Sequence, residues 1–217
     1  MYTVRPPFFL KWIYPKLLWN KANTEKIVYL TFDDGPIPNV TEFVLNTLKN
    51  FQIKATFFCI GDNIQKHPEI FELIKKAGHA VGNHTFNHLK GWDTNDETYI
   101  ANFWKCQALT NTNLFRPPYG RIKKSQIREL AKSWQLMAND KVKPEHSQQQ
   151  IVMWDVLSGD FDAGISGEQC YQNVIRNTRN GSIIVFHDSL KAWDRLEYAL
   201  PKTIAFLKEK GFRFEVL

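Results

Sequence analysis

Two adjacent carboxylates and two histidines four residues apart are the side chains of this 217-residue chain best suited to chemistry. They are Asp33, Asp34, His84 and His88. Histidine nitrogens and carboxylate oxygens are common zinc ligands, and a catalytic zinc site leaves one position open for water. Successive side chains of a strand point to opposite faces, so the two aspartates need not share one task. Asp34 and the two histidines can therefore hold a divalent metal while Asp33 handles a proton.

Each half of this set also has a plain structural interpretation. Aspartates that precede a turn, as these precede Gly35 and Pro36, often serve only to cap it. A chain with six histidines can produce the His-x-x-x-His spacing by accident. A metalloprotease would carry Glu after the first histidine, where this chain has Thr85. The metal interpretation therefore depends on whether other polar groups gather at the same place.

Short apolar runs alternate with longer helical patterns, which predicts an α/β fold with a parallel sheet. The length and the 43% hydrophobic content suffice for one sizeable core, so we expect a single-domain barrel, complete or incomplete. Thr94 with Glu97, and Ser166 with Gln169, match the capping boxes that begin helices. The predicted strands are 27–32, 55–60, 80–84, 113–116, 151–156, 182–187 and 212–217.

One polar stretch, residues 135–150, makes an unusually long link from a helix to the fifth predicted strand. A link from a helix to a strand lies on the face of a β/α barrel opposite the active site. We therefore expect a surface loop or a partner contact there, without a catalytic role.

Ionisable residues follow five of the predicted strands. Besides the two aspartates and the two histidines, Arg116 follows the fourth strand, the segment 155–160 the fifth, and His187 with Asp188 the sixth. The carboxyl ends of parallel strands meet at the face where β/α barrels build active sites. Ionisable groups gathered at that face indicate an enzyme rather than a domain that is merely stable.

Three of these later residues have chemical uses at that face. Arg116 can pair with Asp33 and hold it ionised, or it can simply bind a strand-end carbonyl. An Asp160 carboxylate bonded to His187 would raise the pKa of the imidazole and prepare it to act as a general acid. In the segment 116–120 (RPPYG) the prolines fix an extended backbone and the glycine permits a sharp turn. Such a rigid loop is a good place for an N–H group that meets an oxyanion.

Five ordered motifs make the chain similar to the polysaccharide deacetylase (NodB-homology) family, carbohydrate esterase family four. They are Thr31-Phe32-Asp33-Asp34-Gly35-Pro36, His84-Thr85-x-x-His88, Arg116-Pro117-Pro118-Tyr119-Gly120, the segment 155–160 and Val185-Phe186-His187-Asp188. The resemblance implies a distorted (β/α)7 barrel over residues 27–217, with a divalent metal that is zinc or else Co, Ni or Mn. It also implies hydrolysis of N-acetyl groups from N-acetylglucosamine-type residues of a polysaccharide, an oligosaccharide or a lipid-linked glycan.

The same resemblance implies a role for each matching position. The metal ligands would be Asp34, His84 and His88. The catalytic residues would be Asp33 as base, Arg116 orienting it, His187 as acid, Asp160 tuning the acid, and Tyr119 donating its backbone N–H to the oxyanion. The substrate contacts would be Pro118, Tyr119, Val185 and Phe161. Phe161 stands where the family commonly has Trp, which bears on the shape of the acyl pocket.

Two other functions stay open at this point. A hydrolase of the same fold could cleave a different C–N bond, in a cyclic imide or in the formamide of a lipid-linked sugar. A module without activity could keep the barrel and only bind a glycan. The intact set of base, acid and metal ligands argues against such a silent module, because a site freed from catalysis needs neither base nor acid.

Residues 1–26 form an arm rich in aromatic and basic side chains, and we expect it to pack on the domain. Contact with a membrane surface is the alternative, because aromatic residues beside cations also bind bilayer surfaces. Lys11, Pro15 and Lys16 interrupt the apolar core that a signal peptide would need. The expected location is the cytoplasm or the surface of the cytoplasmic membrane. The arm's aromatic residues are Phe8, Phe9, Trp12, Tyr14 and Trp19, and its basic residues are Arg5, Lys11, Lys16 and Lys21.

Charge and cysteine content exclude two other classes. The net charge is +6 and the isoelectric point about 9.1, but the 28 Lys and Arg residues are scattered, so we expect no nucleic-acid partner. Cys59, Cys106 and Cys170 form an odd set without a C-x-x-C pair, which argues against a disulfide framework or a structural zinc cluster. We expect the three thiols to be reduced and buried.

Overall fold

The computed structural model describes residues 2–21, 24–139 and 149–217. Within these ranges it contains eight strands and eight α-helices. The strands are β1 (Ile27–Asp33), β2 (Thr56–Cys59), β3 (Ala80–Asn83), β4 (Leu114–Phe115), β5 (Gln150–Ile151), β6 (Val156–Leu157), β7 (Ile183–His187) and β8 (Arg213–Phe214). The helices are α1 (Phe8–Ile13), α2 (Val40–Asn50), α3 (Gly61–Lys66), α4 (Pro68–Lys76), α5 (Asp96–Thr110), α6 (Lys124–Asn139), α7 (Gly167–Asn177) and α8 (Trp193–Glu209).

The strands form one parallel sheet in the order β5-β4-β3-β2-β1-β7-β6, with β8 paired to β1. β5 pairs with β4 at one edge, and β6 pairs with β7 at the other. Because the four residues 152–155 join β5 directly to β6, the sheet must curl and bring its two edges close to each other. The predicted single-domain, distorted β/α barrel is thereby confirmed.

The predicted strand 151–156 is wrong in one respect, because it is split between these two edges. The carbonyl oxygen of Met153 accepts a hydrogen bond from Nη2 of Arg116 at 3.0 Å, and that of Val152 lies 3.4 Å from Arg116 Nε. The N–H of Val152 still donates to the carbonyl of Phe115 in β4 at 2.7 Å, so only the carbonyl side of this segment is turned toward the guanidinium. The residues between β5 and β6 therefore supply acceptors to the side chain that the barrel encloses.

The helix starts confirm one predicted capping box and correct the other. Asn95 caps α5, since its side-chain oxygen accepts from the N–H of Thr98 at 2.8 Å. The box predicted at Thr94 is wrong because Asn, one residue later, is at least as good a cap as Thr. Ser166 and Gln169 exchange the predicted pair of hydrogen bonds at the start of α7, at 2.8 and 3.1 Å.

The predicted surface link 135–150 is partly helical. Helix α6 continues to Asn139, because residues 135–138 (QLMA) are all good helix formers. Gln150 already belongs to β5. Residues 140–148 lie outside the described part of the chain, so the remainder of that expectation stays a prediction.

The main apolar core packs the sheet against the helices. β1 is buried along its whole length, and Phe32 near its carboxyl end stacks on Phe57 at 5.0 Å and on Phe186 at 6.4 Å between ring centroids. The three cysteines are free and buried, as expected. A barrel with both faces of its strands covered leaves the strand ends as the natural places for polar groups.

The described part of the arm that precedes residue 22, residues 2–21, lies against the barrel at two places. The N–H of Leu157 donates to the carbonyl of Val4 at 2.8 Å, so the start of the arm runs along β6. Farther along, Leu18 pairs with Val152, and Leu17 and Trp19 are buried in a second apolar cluster with α5 and α6. None of the helices in the described ranges has the length and apolar character needed to cross a bilayer.

Asp155 ties the arm to the barrel at the end opposite the expected site. The sequence placed the segment 155–160 entirely at the active-site end, but Asp155 precedes β6 and contacts the residues that precede β7. It is buried and accepts hydrogen bonds from Arg179 at 2.9 and 3.1 Å, Ser182 at 2.9 Å, Lys11 at 3.2 Å and Arg5 at 3.4 Å. Burial by itself raises the pKa of Asp155, but these donors outweigh it and lower the pKa below its ordinary value.

We expect Asp155→Asn to lower the free energy of unfolding by about 1–3 kcal/mol, because hydrogen bonds to a buried charge are lost. Urea unfolding at neutral pH measures the change. Asp62→Asn, which removes a solvent-exposed pair with Lys66, is the matched control and should cost less than about 1 kcal/mol.

The pH dependence gives a second check on Asp155. A lowered native pKa stabilises the fold above the unfolded-state pKa of about 3.9, and this contribution disappears as the pH falls through the native value. The stability difference between parent and Asp155→Asn should therefore vanish in acid. A difference that persisted unchanged below that range would contradict the assignment.

Candidate active site

Asp33 and Arg116 form a buried ion pair at the carboxyl end of β1. Nη1 of Arg116 donates to Oδ1 of Asp33 at 2.6 Å and to the hydroxyl of Thr31 at 2.8 Å. Both partners are almost inaccessible to solvent, and the guanidinium stacks on the ring of Phe58 at 4.1 Å. The sequence left open whether Arg116 binds a carboxylate or a strand-end carbonyl, and in the structure Arg116 binds both. Its contacts fix the carboxylate of Asp33 in one orientation.

His187, at the end of the adjacent strand β7, forms a second pair with Asp160, in which the aspartate is buried and the histidine partly buried. Nδ1 of His187 lies 2.7 Å from Oδ1 of Asp160, whose Oδ2 accepts from the backbone N–H of His187 at 2.6 Å. Burial by itself lowers the pKa of His187, but the carboxylate of Asp160 outweighs it, and carboxylates at Asp34 and Asp33 add to the rise, to about 10. In the strand register His187 stands directly beside Asp33. A charged imidazole and an oriented carboxylate therefore face one site.

Asp34, His84 and His88 bring three candidate ligand atoms within 4.8 Å of one another. Oδ1 of Asp34 lies 3.2 Å from Nε2 of His88 and 3.7 Å from Nε2 of His84. Tetrahedral zinc with bonds of about 2.1 Å separates its ligands by roughly 3.4 Å. Within the described part of the chain this buried Asp34 oxygen accepts no hydrogen bond. The three residues fit a divalent cation.

The protonation of His84 agrees with a role as ligand. Its Nδ1 lies 2.7 Å from the carbonyl oxygen of Arg116, which can only accept, so Nδ1 carries the proton and Nε2 keeps a lone pair. Burial lowers the pKa of His84 to about 4, so the ring is neutral at pH 7. A backbone carbonyl that orients a histidine in this way is the usual outer partner of a metal ligand.

The loop after β4 carries the predicted oxyanion donor. It forms a tight turn in which Gly120 donates to Pro117 at 2.9 Å and Arg121 to Pro118 at 3.0 Å. The backbone N–H of Tyr119, which takes no part in these two bonds, belongs to a residue with a φ of 58°. The Tyr119 ring packs on His88 at 4.6 Å between centroids, so the N–H lies on a loop adjoining the metal ligands.

The four expected substrate contacts differ in exposure. Tyr119 is exposed and Phe161 half-buried, whereas Pro118 and Val185 are buried. Val185 precedes His187 by two residues and therefore lies on the same face of β7. The ring of Phe161 meets that of His187 edge-on at 5.1 Å. Of these four residues, Phe161 is the one whose ring contacts His187.

Two sets of contacts that shape this site were not predicted from the sequence. The ring of Tyr2, in the arm, packs on Phe161 at 5.0 Å. Asp188 accepts from the N–H of Gly35 at 3.0 Å and from the hydroxyl of Thr41 at 2.6 Å, which holds the turn after the paired aspartates. A Cβ atom on Gly35 would lie 1.9 Å from Asp188, so only glycine fits there. The position of Asp188 directly after His187 in the sequence could have indicated that it lies at the site. No local sequence pattern indicated the contact of Tyr2 with Phe161.

A parallel β/α barrel that brings an Asp-His-His set together with an oriented carboxylate and an imidazole has the features of a metal-dependent hydrolase. The family model described as polysaccharide deacetylase matches residues 20–138. The chain therefore belongs to the polysaccharide deacetylase family, whose members depend on a divalent metal.

Individual relatives agree with this family. The chain is 32% identical over 206 residues to the peptidoglycan-N-acetylglucosamine deacetylase of Bacillus cereus, covering 90% of this chain and 88% of that protein. It is 30% identical to the chitooligosaccharide deacetylase of Azorhizobium caulinodans, covering 90% and 95%. A crystal structure of a peptidoglycan N-acetylglucosamine deacetylase in complex with 4-naphthalen-1-yl-N-oxidanyl-benzamide superposes with a TM-score of 0.83 at 31% identity, covering 98% and 95%.

Proposed function

We propose that this protein hydrolyses the N-acetyl group of N-acetylglucosamine residues in a glycan, releasing acetate and a free amine. The observation that carries the proposal is the placement of an oriented carboxylate, Asp33, directly beside a charged imidazole, His187, at the end of the barrel that holds the candidate metal ligands. Relatives named for peptidoglycan and for chitooligosaccharide support the sugar.

Zinc is the metal we propose for Asp34, His84 and His88, because two imidazoles and one carboxylate with an open position are a usual catalytic zinc set. A divalent cation bound there would polarise the amide carbonyl and lower the pKa of water. Burial by itself raises the pKa of Asp34, but its interaction with His88 outweighs this and lowers the pKa well below the usual range. The carboxylate is therefore ionised at neutral pH and available to bind a cation.

The protein's own groups then divide the proton transfers. Asp33, held by Arg116, takes the proton of the attacking water. The Tyr119 N–H donates to the oxygen that gains negative charge as the tetrahedral intermediate forms. His187 gives its proton to the departing sugar nitrogen, so the C–N bond breaks and the amine leaves.

Product analysis tests the reaction directly. Purified, zinc-loaded protein incubated with N-acetylglucosamine oligomers should release acetate and a primary amine in equal amounts. If the protein releases no acetate but releases formate from an N-formyl sugar or opens a cyclic imide, its activity is that of a hydrolase of another C–N bond and not that of a deacetylase. Glycan binding with no product from any of these substrates would indicate a silent module.

Asp160→Asn should move the alkaline limb of the pH–activity profile to lower pH by at least about one unit. A carboxylate at this distance raises the pKa of its partner by about one to three units, and the amide removes that charge. The acid works only when His187 is protonated, so a lower pKa makes activity fall earlier as the pH rises. Profiles of kcat/KM for parent and variant measure the shift, and superimposed alkaline limbs would show that Asp160 does not tune the acid.

A further inference from the structure

The short helix α1 exposes a run of large apolar side chains. Trp12 is 79% exposed, Phe8 71%, Phe9 48% and Ile13 47%. The ring of Phe8 meets those of Phe9 and Trp12 edge-on, at 6.1 and 5.8 Å between centroids, so the rings form one patch. We call these four residues the aromatic face of α1. Exposed apolar patches of this kind mark sites of contact with another molecule or with a membrane.

Basic side chains lie beside the aromatic face. Residues 1–21 contain four basic residues and neither Asp nor Glu, and two of the four, Arg5 and Lys11, pair with Asp155. Lys16 is exposed three residues after the helix, and Nζ of Lys124 from α6 lies 5.6 Å from the centroid of the Tyr14 ring. Aromatic side chains flanked by cations are what binds a protein to the boundary between the headgroups and acyl chains of anionic lipids. A protein partner without negative charge would gain nothing from these basic side chains.

The attachment of α1 keeps the aromatic face turned outward. Lys11, within the helix, donates to Asp155 at 3.2 Å and to the side chain of Asn20 at 3.0 Å. Trp19 is buried, and its indole N–H donates to the carbonyl of Tyr14 at 3.2 Å. Both flanks of the helix are thus fixed to the barrel, so the aromatic face cannot fold inward without breaking buried contacts.

We propose that the aromatic face of α1 docks onto the surface of an anionic lipid bilayer. Lys11 contacts Asp155 before the start of β6, whereas Asp33 and His187 lie at the opposite, carboxyl ends of their strands. Docking through α1 therefore turns the active site away from the bilayer. If the proposed deacetylase function holds, this orientation favours a glycan polymer or oligosaccharide lying off the membrane over a sugar headgroup in the docked leaflet.

Vesicle co-sedimentation of the zinc-loaded full chain tests docking. The protein should pellet with vesicles of phosphatidylcholine mixed with phosphatidylglycerol and less with vesicles of phosphatidylcholine alone, and added salt should weaken binding to the mixed vesicles. The double variant Phe8→Ser, Trp12→Ser should bind at least about tenfold more weakly, because two interfacial anchors are removed. Lys16→Glu should weaken binding only to the anionic vesicles. Leu190→Ser, which removes a side chain that is 74% exposed elsewhere, is the matched control and should bind like the parent.

Three outcomes would overturn docking. The parent could fail to pellet with either lipid composition, or Leu190→Ser could lose binding as strongly as the double variant. The parent could instead be a dimer that the double variant converts to a monomer without any vesicle binding, which would make the face a contact between two copies. Acetate release from a soluble oligomer, measured in the same samples, separates docking from catalysis, since we expect the double variant to keep that activity.

Discussion

Asp33→Asn is expected to lower kcat/KM for acetate release by about 10²–10⁴-fold, the contribution typical of a general base, while the protein keeps its metal. Asparagine has the shape of aspartate, and its oxygen can still accept the hydrogen bond of Arg116. It cannot take a proton from water. The chemistry should therefore fail although the geometry persists. Steady-state kinetics and the metal content after dialysis measure the two effects separately.

A stability measurement must accompany this variant. Removing one partner of a buried ion pair costs about 3–5 kcal/mol, because Arg116 keeps its charge without a counter-charge. Urea unfolding shows whether Asp33→Asn is folded under the assay conditions. Asp194→Asn, at an exposed position of α8, is the matched control and should leave activity unchanged. A folded, metal-loaded Asp33→Asn protein with parental turnover would exclude Asp33 as the base.

His84→Ala is expected to lose both the metal and the activity. Loss of an outer partner of a metal ligand already costs 10–100-fold in affinity, so loss of the ligand itself should cost more than about 100-fold. His187→Ala should in contrast keep the metal and lose the activity, because His187 is expected to supply a proton rather than a ligand. Metal titrations of the two variants, with acetate release measured at saturating zinc, distinguish the roles.

His67 provides the matched control for the ligand variant. It lies at the start of α4, 3.9 Å from Glu69, and it is not among the grouped ligand atoms. His67→Ala should keep parental zinc affinity. His84→Ala also leaves the buried carbonyl of Arg116 without its donor, at a cost of about 1–3 kcal/mol, so metal-free stability is compared as well. Parental zinc content in His84→Ala would refute the metal site.

The strands and the gathering of polar groups at one end of the barrel could be predicted from the sequence. Apolar runs of strand length are a local pattern, and parallel order brings the carboxyl ends of strands together whatever the details of packing. Asp33, Asp34 and His187 follow directly from that reasoning. The pairing of Arg116 with Asp33 could be stated only as one of two options, because it depends on how far the sheet curls.

The contacts that were missed or misplaced join parts of the chain that are distant in sequence. Asp155 points to the far end of the barrel because the segment 150–157 is divided between the two edges of the sheet. Tyr2 packs behind Phe161 only because the arm runs along β6. Neither contact leaves a periodic signal in the sequence, since each depends on how the sheet curls.

Chelation and reconstitution test the central claim most directly. Acetate release from N-acetylglucosamine oligomers is measured for the purified protein, after removal of metal by a chelator, and after zinc is added back. We predict that activity disappears on chelation, returns with zinc in the parent protein, and does not return in Asp33→Asn. Acetate release that is indifferent to chelation, or no release from protein shown to contain zinc, would contradict the proposed metal-dependent deacetylase.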